Sequence, residues 1–196
     1  MQFVEPIRDR KKIEEIKKKL RNVGKIRNVL LFELWINSAL RISDLLSVRV
    51  CHLFDYHGIP KNSFIIKESK TTKTHEVTIT PKVQKTLLEY KITYPFILMN
   101  QNNYIFFNQK KHPLGIQSIN RKMGRSLISS WCRQAWLEWN HWGHTLRKTR
   151  WYHARIANIS MEIIQHKLNH SSLAVTKRYL GITADEIEAA CRKLDL

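Results

Sequence analysis

The sequence predicts a mainly α-helical fold with one small antiparallel β-sheet, an α+β class. Three observations carry that expectation. Apolar residues recur three and four positions apart over most of the 196 residues. One Lys/Thr-rich stretch, Lys67 to His75, is flanked by two short β-prone runs. Glycine and proline number only 6 and 5, too few for long disordered linkers.

Taken in order, Asp9 is a candidate N-cap for a helix to about Arg21, with Ile13, Ile16 and Leu20 as its apolar stripe. The other face carries Lys11, Lys12, Lys17, Lys18 and Lys19 and is read as a solvated face. Gly24 breaks the pattern. Lys25 to Asn37 is apolar nearly all round, which predicts a buried helix. A short turn leads into a third helix carrying Arg41, Ser43, Asp44, Leu45 and Leu46. Ser63 to Ile66 and Glu76 to Thr80 form the hairpin strands, with a basic tip between them. Pro81 opens a helix with Val83, Leu87 and Leu88 as its stripe. Tyr104 to Phe107 reads as another short strand. From Gly115 to about Cys191 the pattern is helical, with breaks near Gly143, Asn169 and Gly181. The expected organisation is a lead-in and helix over 1–24, one main domain over 25–181, and a C-terminal helix over 182–196. That last helix would have Thr183 as its cap and Ile187, Ala190, Cys191 and Leu194 as its stripe. Trp131, Trp136, Trp139, Trp142 and Trp151 crowd one region and are read as core or interface residues rather than base-stacking platforms.

The formal net charge is +18, from 34 Lys and Arg against 16 Asp and Glu. Such a surplus repels itself in the folded state, and its usual partner is a nucleic-acid backbone. No apolar run is long enough for a membrane span. Cys51, Cys132 and Cys191 are odd in number and far apart, so no disulfide framework is expected. Met1 to Arg21 is charged rather than apolar and does not read as a signal peptide, which makes the expected compartment the cytoplasm.

Three local patterns carry chemistry. In Ala39-Leu40-Arg41-Ile42-Ser43-Asp44, an arginine sits among apolar neighbours, with Asp44 three positions on to share a helical face and orient it. In His144-Thr145-Leu146-Arg147, a His and an Arg share a face and suit a phosphate: a planar fork for two oxygens beside a group that moves protons. In Leu168-Asn169-His170-Ser171-Ser172, a second His lies nine residues before Tyr179. Each alone has a bland reading, as an ion pair, a basic helix face or a core tyrosine. A zinc site from His141, His144, His166 and His170 lacks nearby cysteines or a carboxylate ligand. His141 and His153 are read as structural or solvent-facing.

In that order, the three boxes resemble the tyrosine recombinase, or phage integrase, family. Its boxes typically run Gly-Leu-Arg-x-Ser-Glu, His-x-Leu-Arg-x-Thr and Leu-Gly-His-x-Ser, followed by Tyr. The resemblance covers roughly Asn28 to the C-terminus. It implies the tyrosine recombinase catalytic-domain fold and a site-specific DNA recombinase working through a 3′-phosphotyrosine intermediate, in integration, excision or inversion. It implies catalytic roles for Arg41, His144, Arg147, His170 and Tyr179, and for a hairpin lysine. Ser69-Lys70-Thr71 matches the family pattern at that turn, which assigns Lys70, with Lys67 and Lys73 as competitors. Ala39 and Asn169 stand where the family usually has Gly; Asn is the next residue to tolerate positive φ.

No metal or cofactor is expected. The expected partners are double-stranded DNA, further copies of the chain joined through the C-terminal helix as a dimer or DNA-bound tetramer, and accessory DNA-bending proteins. A prokaryotic, archaeal or viral origin fits the family. Most members carry an additional N-terminal helical domain, so the chain reads either as a naturally short recombinase or as the catalytic part of a longer one. The alternatives are a type IB topoisomerase-like DNA-relaxing enzyme and a non-catalytic DNA-binding protein on the same fold.

Overall fold

A computed structural model describes residues 5–70, 72–108, 118–137, 144–168 and 170–180, together with 188 and 192. The expected C-terminal helix over 182–194, the breaks at Gly143, Asn169 and Gly181, and Thr71, His141, Trp139 and Trp142 lie outside them.

Helix α1 (Arg10–Asn22) starts where the sequence places it: the Asp9 side chain accepts a hydrogen bond from the Lys11 N–H at 2.8 Å. Ile13, Ile16 and Leu20 are buried. They join the same core as the helices that follow, so α1 packs with the main body rather than beside it. Its lysines are largely matched by its own carboxylates, Lys12 and Lys19 with Glu15 and Lys17 with Glu14, which fits a solvated face.

Helix α2 (Ile26–Ser38) is buried on almost every side and forms the centre of the core. A polar link crosses its flank: Arg21 of α1 pairs with Glu89, Arg21 Nη2 donates to Thr86 at 2.8 Å, and Thr86 donates to buried Glu33 of α2 at 2.6 Å. Thr86 and Glu89 belong to α5 (Pro81–Thr93), which begins with proline in its first turn as expected. The inner face of α5 is Val83, Thr86, Leu87 and Tyr90; Leu88, expected on the stripe, is 51% exposed.

After α2 the chain reverses through Ala39, at φ 53° and ψ 24°. This left-handed conformation favours glycine, and holding alanine there costs on the order of 1 kcal/mol. The methyl is buried against Trp151 and Ala154 in a second, smaller core cluster. Trp35 Nε1 donates to the Leu40 carbonyl at 3.0 Å and fixes the turn that presents Arg41. Helix α3 (Ile42–Leu46) follows, then α4 (Val50–Leu53).

Strands β1 (Ser63–Lys67) and β2 (Thr74–Thr78) pair antiparallel, with Ser63 opposite Thr78 and Lys67 opposite Thr74. Phe64, Ile66, His75 and Val77 face inward. The second strand begins two residues before the predicted one, which puts His75 in the ladder. The strand expected over 104–107 is not formed: Tyr104 and Phe107 make only isolated bridges, to Arg49 and Ser118. Short helix α6 (Pro95–Leu98) leads toward that segment.

The remaining described helices are α7 (Arg121–Gln134), α8 (Thr145–Ile156), α9 (Met161–Leu168) and α10 (Leu173–Leu180). The sequence pattern misses the break between α8 and α9, where Asn158 takes φ 57°. Trp131 and Trp151 are core residues, as expected, but Trp136 is 82% exposed. No described helix is long and apolar enough to cross a membrane.

Helix α7 seats on α3 through Gly124, where an added Cβ would lie 3.0 Å from Ile42 Cδ1 and 3.5 Å from Leu46 Cδ1. Gly124→Leu overfills that contact. The expected cost is about 1–3 kcal/mol, a fall of roughly 3–10 °C in the thermal midpoint read by circular dichroism. An unchanged midpoint would mean that α7 does not rest on α3 in this way.

Candidate active site

Arg41 is the N-cap of α3, not a residue of its first turn. Its backbone is extended, at φ −66° and ψ 148°. Asp44 therefore does not share a helical face with it, and the expected Arg41–Asp44 pairing is corrected. Arg41 instead donates through Nη1 to Glu68 Oε2 at 2.6 Å. Glu68, at the end of β1, is 1% exposed, and its other oxygen lies 3.6 Å from His75 Nδ1. Asp44 holds the hairpin tip: its Oδ1 accepts from the Ser69 N–H at 2.9 Å and from the Ser69 hydroxyl. Two acids thus fasten consecutive hairpin residues to the start of α3.

The tip closes by Glu68 N–H donating to the Lys73 carbonyl and Thr72 N–H to the Glu68 carbonyl, both at 2.9 Å, with Thr72 at φ 56°. Lys70 follows the anchored Ser69 directly. It is exposed, as are Lys67 and Lys73, and its ammonium forms no ion pair among the described residues.

Helix α8 supplies the next groups. His144 is its N-cap, and Arg147, buried in the first turn, donates through Nη2 to the Leu168 carbonyl at 3.4 Å. Gln165 of α9 straps His170 from both sides, accepting from its N–H and donating to its carbonyl, each at 3.2 Å. The His170 ring then meets Tyr179 edge to face, with centroids 5.3 Å apart at 74°. His170 Nδ1 lies 3.1 Å from the Thr176 hydroxyl, which itself donates to the Ser172 carbonyl at 3.3 Å.

Tyr179, on α10, has its phenol oxygen buried and, among the described residues, without a hydrogen bond of good geometry. Burial pushes its pKa up to about 12, while the nearby Arg147 and Arg41 guanidiniums pull the other way. Lys148 Nζ stands 5.6 Å from the ring centroid, a cation–π contact. The structure therefore gathers Arg41, Arg147, His170 and Tyr179 with His144 beside them. It leaves Lys70 at an exposed tip tied to the same framework. Sequence reasoning missed Glu68, Lys148, Gln165 and Thr176. Lys148 directly follows Arg147, and Thr176 stands one helical turn before Tyr179; those spacings were the available signals.

The site is rich in cations. Partial burial of the ring and then Arg147, Arg125, Arg41 and Lys148 hold His144 below its ordinary value, although much of the residue faces solvent. Burial, Arg147 and Arg41 do the same to His170. Both shifts favour the neutral imidazole. With folded values below the unfolded ~6.5, their contribution to stability is complete above that pH and is lost as pH falls below it. A bound phosphate reverses the sign, because it favours the imidazolium. The affinity of a phosphodiester at this site is therefore expected to rise between about pH 7.5 and 5.5, with proton uptake seen in calorimetry in buffers of different ionisation heat. Equal heats in all buffers would place both rings away from the anion.

On α7, Arg121, Lys122 and Arg125 line a surface depression with Ser126 and Ser129, and Arg125 lies close enough to act on His144. Among the described residues, no group of three or more His, Cys, Asp or Glu is arranged to hold a metal ion.

Solved structures share this architecture. XerA recombinase superposes with a TM-score of 0.75 at 14% identity, covering 100% of this chain and 67% of that one. XerH, bound to its palindromic difH substrate after cleavage, gives 0.72 at 17% identity, covering 96% and 53%. The fold is that of tyrosine recombinase catalytic domains. The phage integrase family profile matches residues 8–186. The probable integrase/recombinase YoeC of Bacillus subtilis is 34% identical over 190 residues, spanning 97% of this chain and 96% of that protein. Tyrosine recombinase XerD of Corynebacterium glutamicum is 26% identical over 168 residues, spanning 85% of this chain and 52% of that protein. The chain belongs to the phage integrase family. It spans nearly all of YoeC but about half of XerD and XerH.

Proposed function

We propose that the chain is a site-specific tyrosine recombinase that cuts and rejoins double-stranded DNA at Tyr179. The observation that carries this reading is the placement of the Tyr179 phenol oxygen, sheltered from solvent between the His170 ring and the Arg147 guanidinium. A core tyrosine at such a position would be expected to hydrogen-bond.

In the proposed reaction the phenol oxygen attacks the scissile phosphorus, and the bond from phosphorus to the 5′ oxygen breaks. Arg41 and Arg147 bind the non-bridging oxygens as negative charge builds there. Protonated His170 adds a donor through Nε2. His144 accepts the phenol proton, which the raised pKa of Tyr179 makes hard to release unaided. Lys70 at the hairpin tip protonates the departing 5′ oxygen. A 5′-hydroxyl from a partner strand then attacks the 3′-phosphotyrosine and restores a phosphodiester. The phosphotyrosine bond conserves the energy of the broken link, so rejoining needs no nucleotide hydrolysis.

Double-stranded DNA as partner fits the +18 net charge and the basic surface of α7. The XerH and Tn1549 integrase structures are complexes with their DNA sites. Self-association through the segment after Tyr179, and help from DNA-bending proteins, complete the proposal. A nicked suicide duplex of the native flanking sequence tests it. A covalent protein–DNA adduct on a denaturing gel, with ligated recombinant product from intact sites, is the expected result. Relaxation of supercoiled DNA without product would favour a topoisomerase; salt-sensitive binding without any adduct would favour a non-catalytic binder.

A further inference from the structure

A second cationic site lies further along α8, toward its C-terminal end. A cleft of about 560 Å³ opens where α1, α2, α8 and the start of α5 meet. That is within the roughly 300–1,000 Å³ of small-ligand sites. Its lining includes Arg10, Lys17, Lys82, Arg150 and His153. None of the residues proposed for cleavage lines it.

Four fixed cations there face one carboxylate, Glu14, which is already bound to Lys17 at 2.9 Å. The key group is Arg150. It is partly buried, and burial alone lowers its pKa. Among the described residues its guanidinium donates only to Asn37 Oδ1, at 3.3 Å. No carboxylate lies within ion-pair distance of Arg150 or Arg10 among the described residues. Arg21 has Glu33 and Glu89, and Arg41 has Glu68; Arg27, also partly buried and without a carboxylate, has two neutral acceptors, Asn28 Oδ1 and the Phe107 carbonyl, where Arg150 has one. The other guanidinium on α8 buried without such a partner is Arg147, which faces Tyr179. Desolvating a guanidinium with a single neutral acceptor is costly, and an anion in the cleft would offset that cost.

We propose that this cleft is a phosphate-binding site separate from the one at Tyr179, with Arg150 and Arg10 as its principal donors. The same chemistry has two sources, a backbone phosphate of the DNA that the recombinase holds or a free phosphorylated compound. The first source rests on the recombinase reading above; the second does not.

The test uses the full chain, with Arg150→Gln, Arg10→Gln and, as a control outside the cleft, Lys11→Gln. Arg10 is exposed, so its variant keeps the fold even if Arg150→Gln is unstable. If the source is DNA, each cleft variant lowers the slope of log affinity against log salt for duplex DNA by about one, while Lys11→Gln lowers it by clearly less. Adduct yield at saturating DNA stays unchanged. If the source is a free compound, calorimetry with inorganic pyrophosphate shows one site in the parent and Lys11→Gln and none in the cleft variants, with the DNA slope unaltered. Either pattern supports the site and identifies its source. Unchanged slopes together with no pyrophosphate binding by the parent, or equal binding by all variants, overturns it. Absence of the adduct in the parent chain overturns the recombinase reading and leaves pyrophosphate binding as an independent readout.

Discussion

Tyr179→Phe is expected to abolish the covalent DNA adduct while leaving duplex affinity within about twofold, a loss of cleavage on the order of 10⁴-fold or more. The substitution removes one oxygen. Among the described residues that oxygen is buried, and its polar neighbour, the Arg147 guanidinium, is held outside good hydrogen-bond geometry. Deleting a desolvated polar atom without a partner is neutral or stabilising, by up to about 1 kcal/mol. The variant should therefore melt at the same temperature as the parent or slightly above it, while losing its chemistry. That combination separates a nucleophile from a structural tyrosine, whose hydroxyl would be missed on melting. An adduct that persists in Tyr179→Phe would move the nucleophile to another residue and sink the assignment.

Glu68→Ala carries the second large effect. Glu68 is 1% exposed and holds Arg41, which is 22% exposed, at 2.6 Å. Removing one member of a buried pair leaves the other charge without compensation, at a cost of about 3–5 kcal/mol; the partial exposure of Arg41 brings the expectation to about 2–4 kcal/mol. Cleavage at saturating DNA should fall roughly 10²–10³-fold, because the guanidinium is no longer aimed at the phosphate. Glu68→Gln, which keeps an acceptor oxygen and loses the charge, should lie between. The deciding measurement is a double-mutant cycle: in an Arg41→Ala background, Glu68→Ala should have little further effect on the cleavage rate. Equal losses in both backgrounds would show that Glu68 does not act through Arg41.

Where the information was local, the sequence could be read directly. Asp9 and the Ile13, Ile16, Leu20 stripe give α1 because capping and the 3.6-residue period act within a few positions. The hairpin was equally plain, since its strands are joined by one short polar turn. Arg41, His144, Arg147, His170 and Tyr179 were proposed from their order along the chain, and the fold brings Arg41, Arg147, His170 and Tyr179 close together. Information that was not local was misread. Asp44 was paired with Arg41 by assuming a common helix, whereas Arg41 caps that helix in extended backbone. Its true partner lies 27 residues on, at the end of a strand, and no periodicity links them. Leu88 was placed in the core because it is apolar; Tyr90 fills that face instead, donating its hydroxyl to the Ile105 carbonyl at 2.6 Å. The break at Asn158 has no glycine or proline to announce it.

The two carboxylates at the base of the hairpin have a consequence for timing. Asp44 grips Ser69 while Glu68 grips Arg41, so the tip carrying Lys70 and the guanidinium that would meet the phosphate share one lever. Displacing the tip tugs on both latches at once. In the proposed reaction, a displaced tip would take both the donor to the 5′ oxygen and the aim of Arg41 out of place, so that no strand is cut. Such an all-or-none linkage suits an enzyme whose danger lies in half-finished cuts.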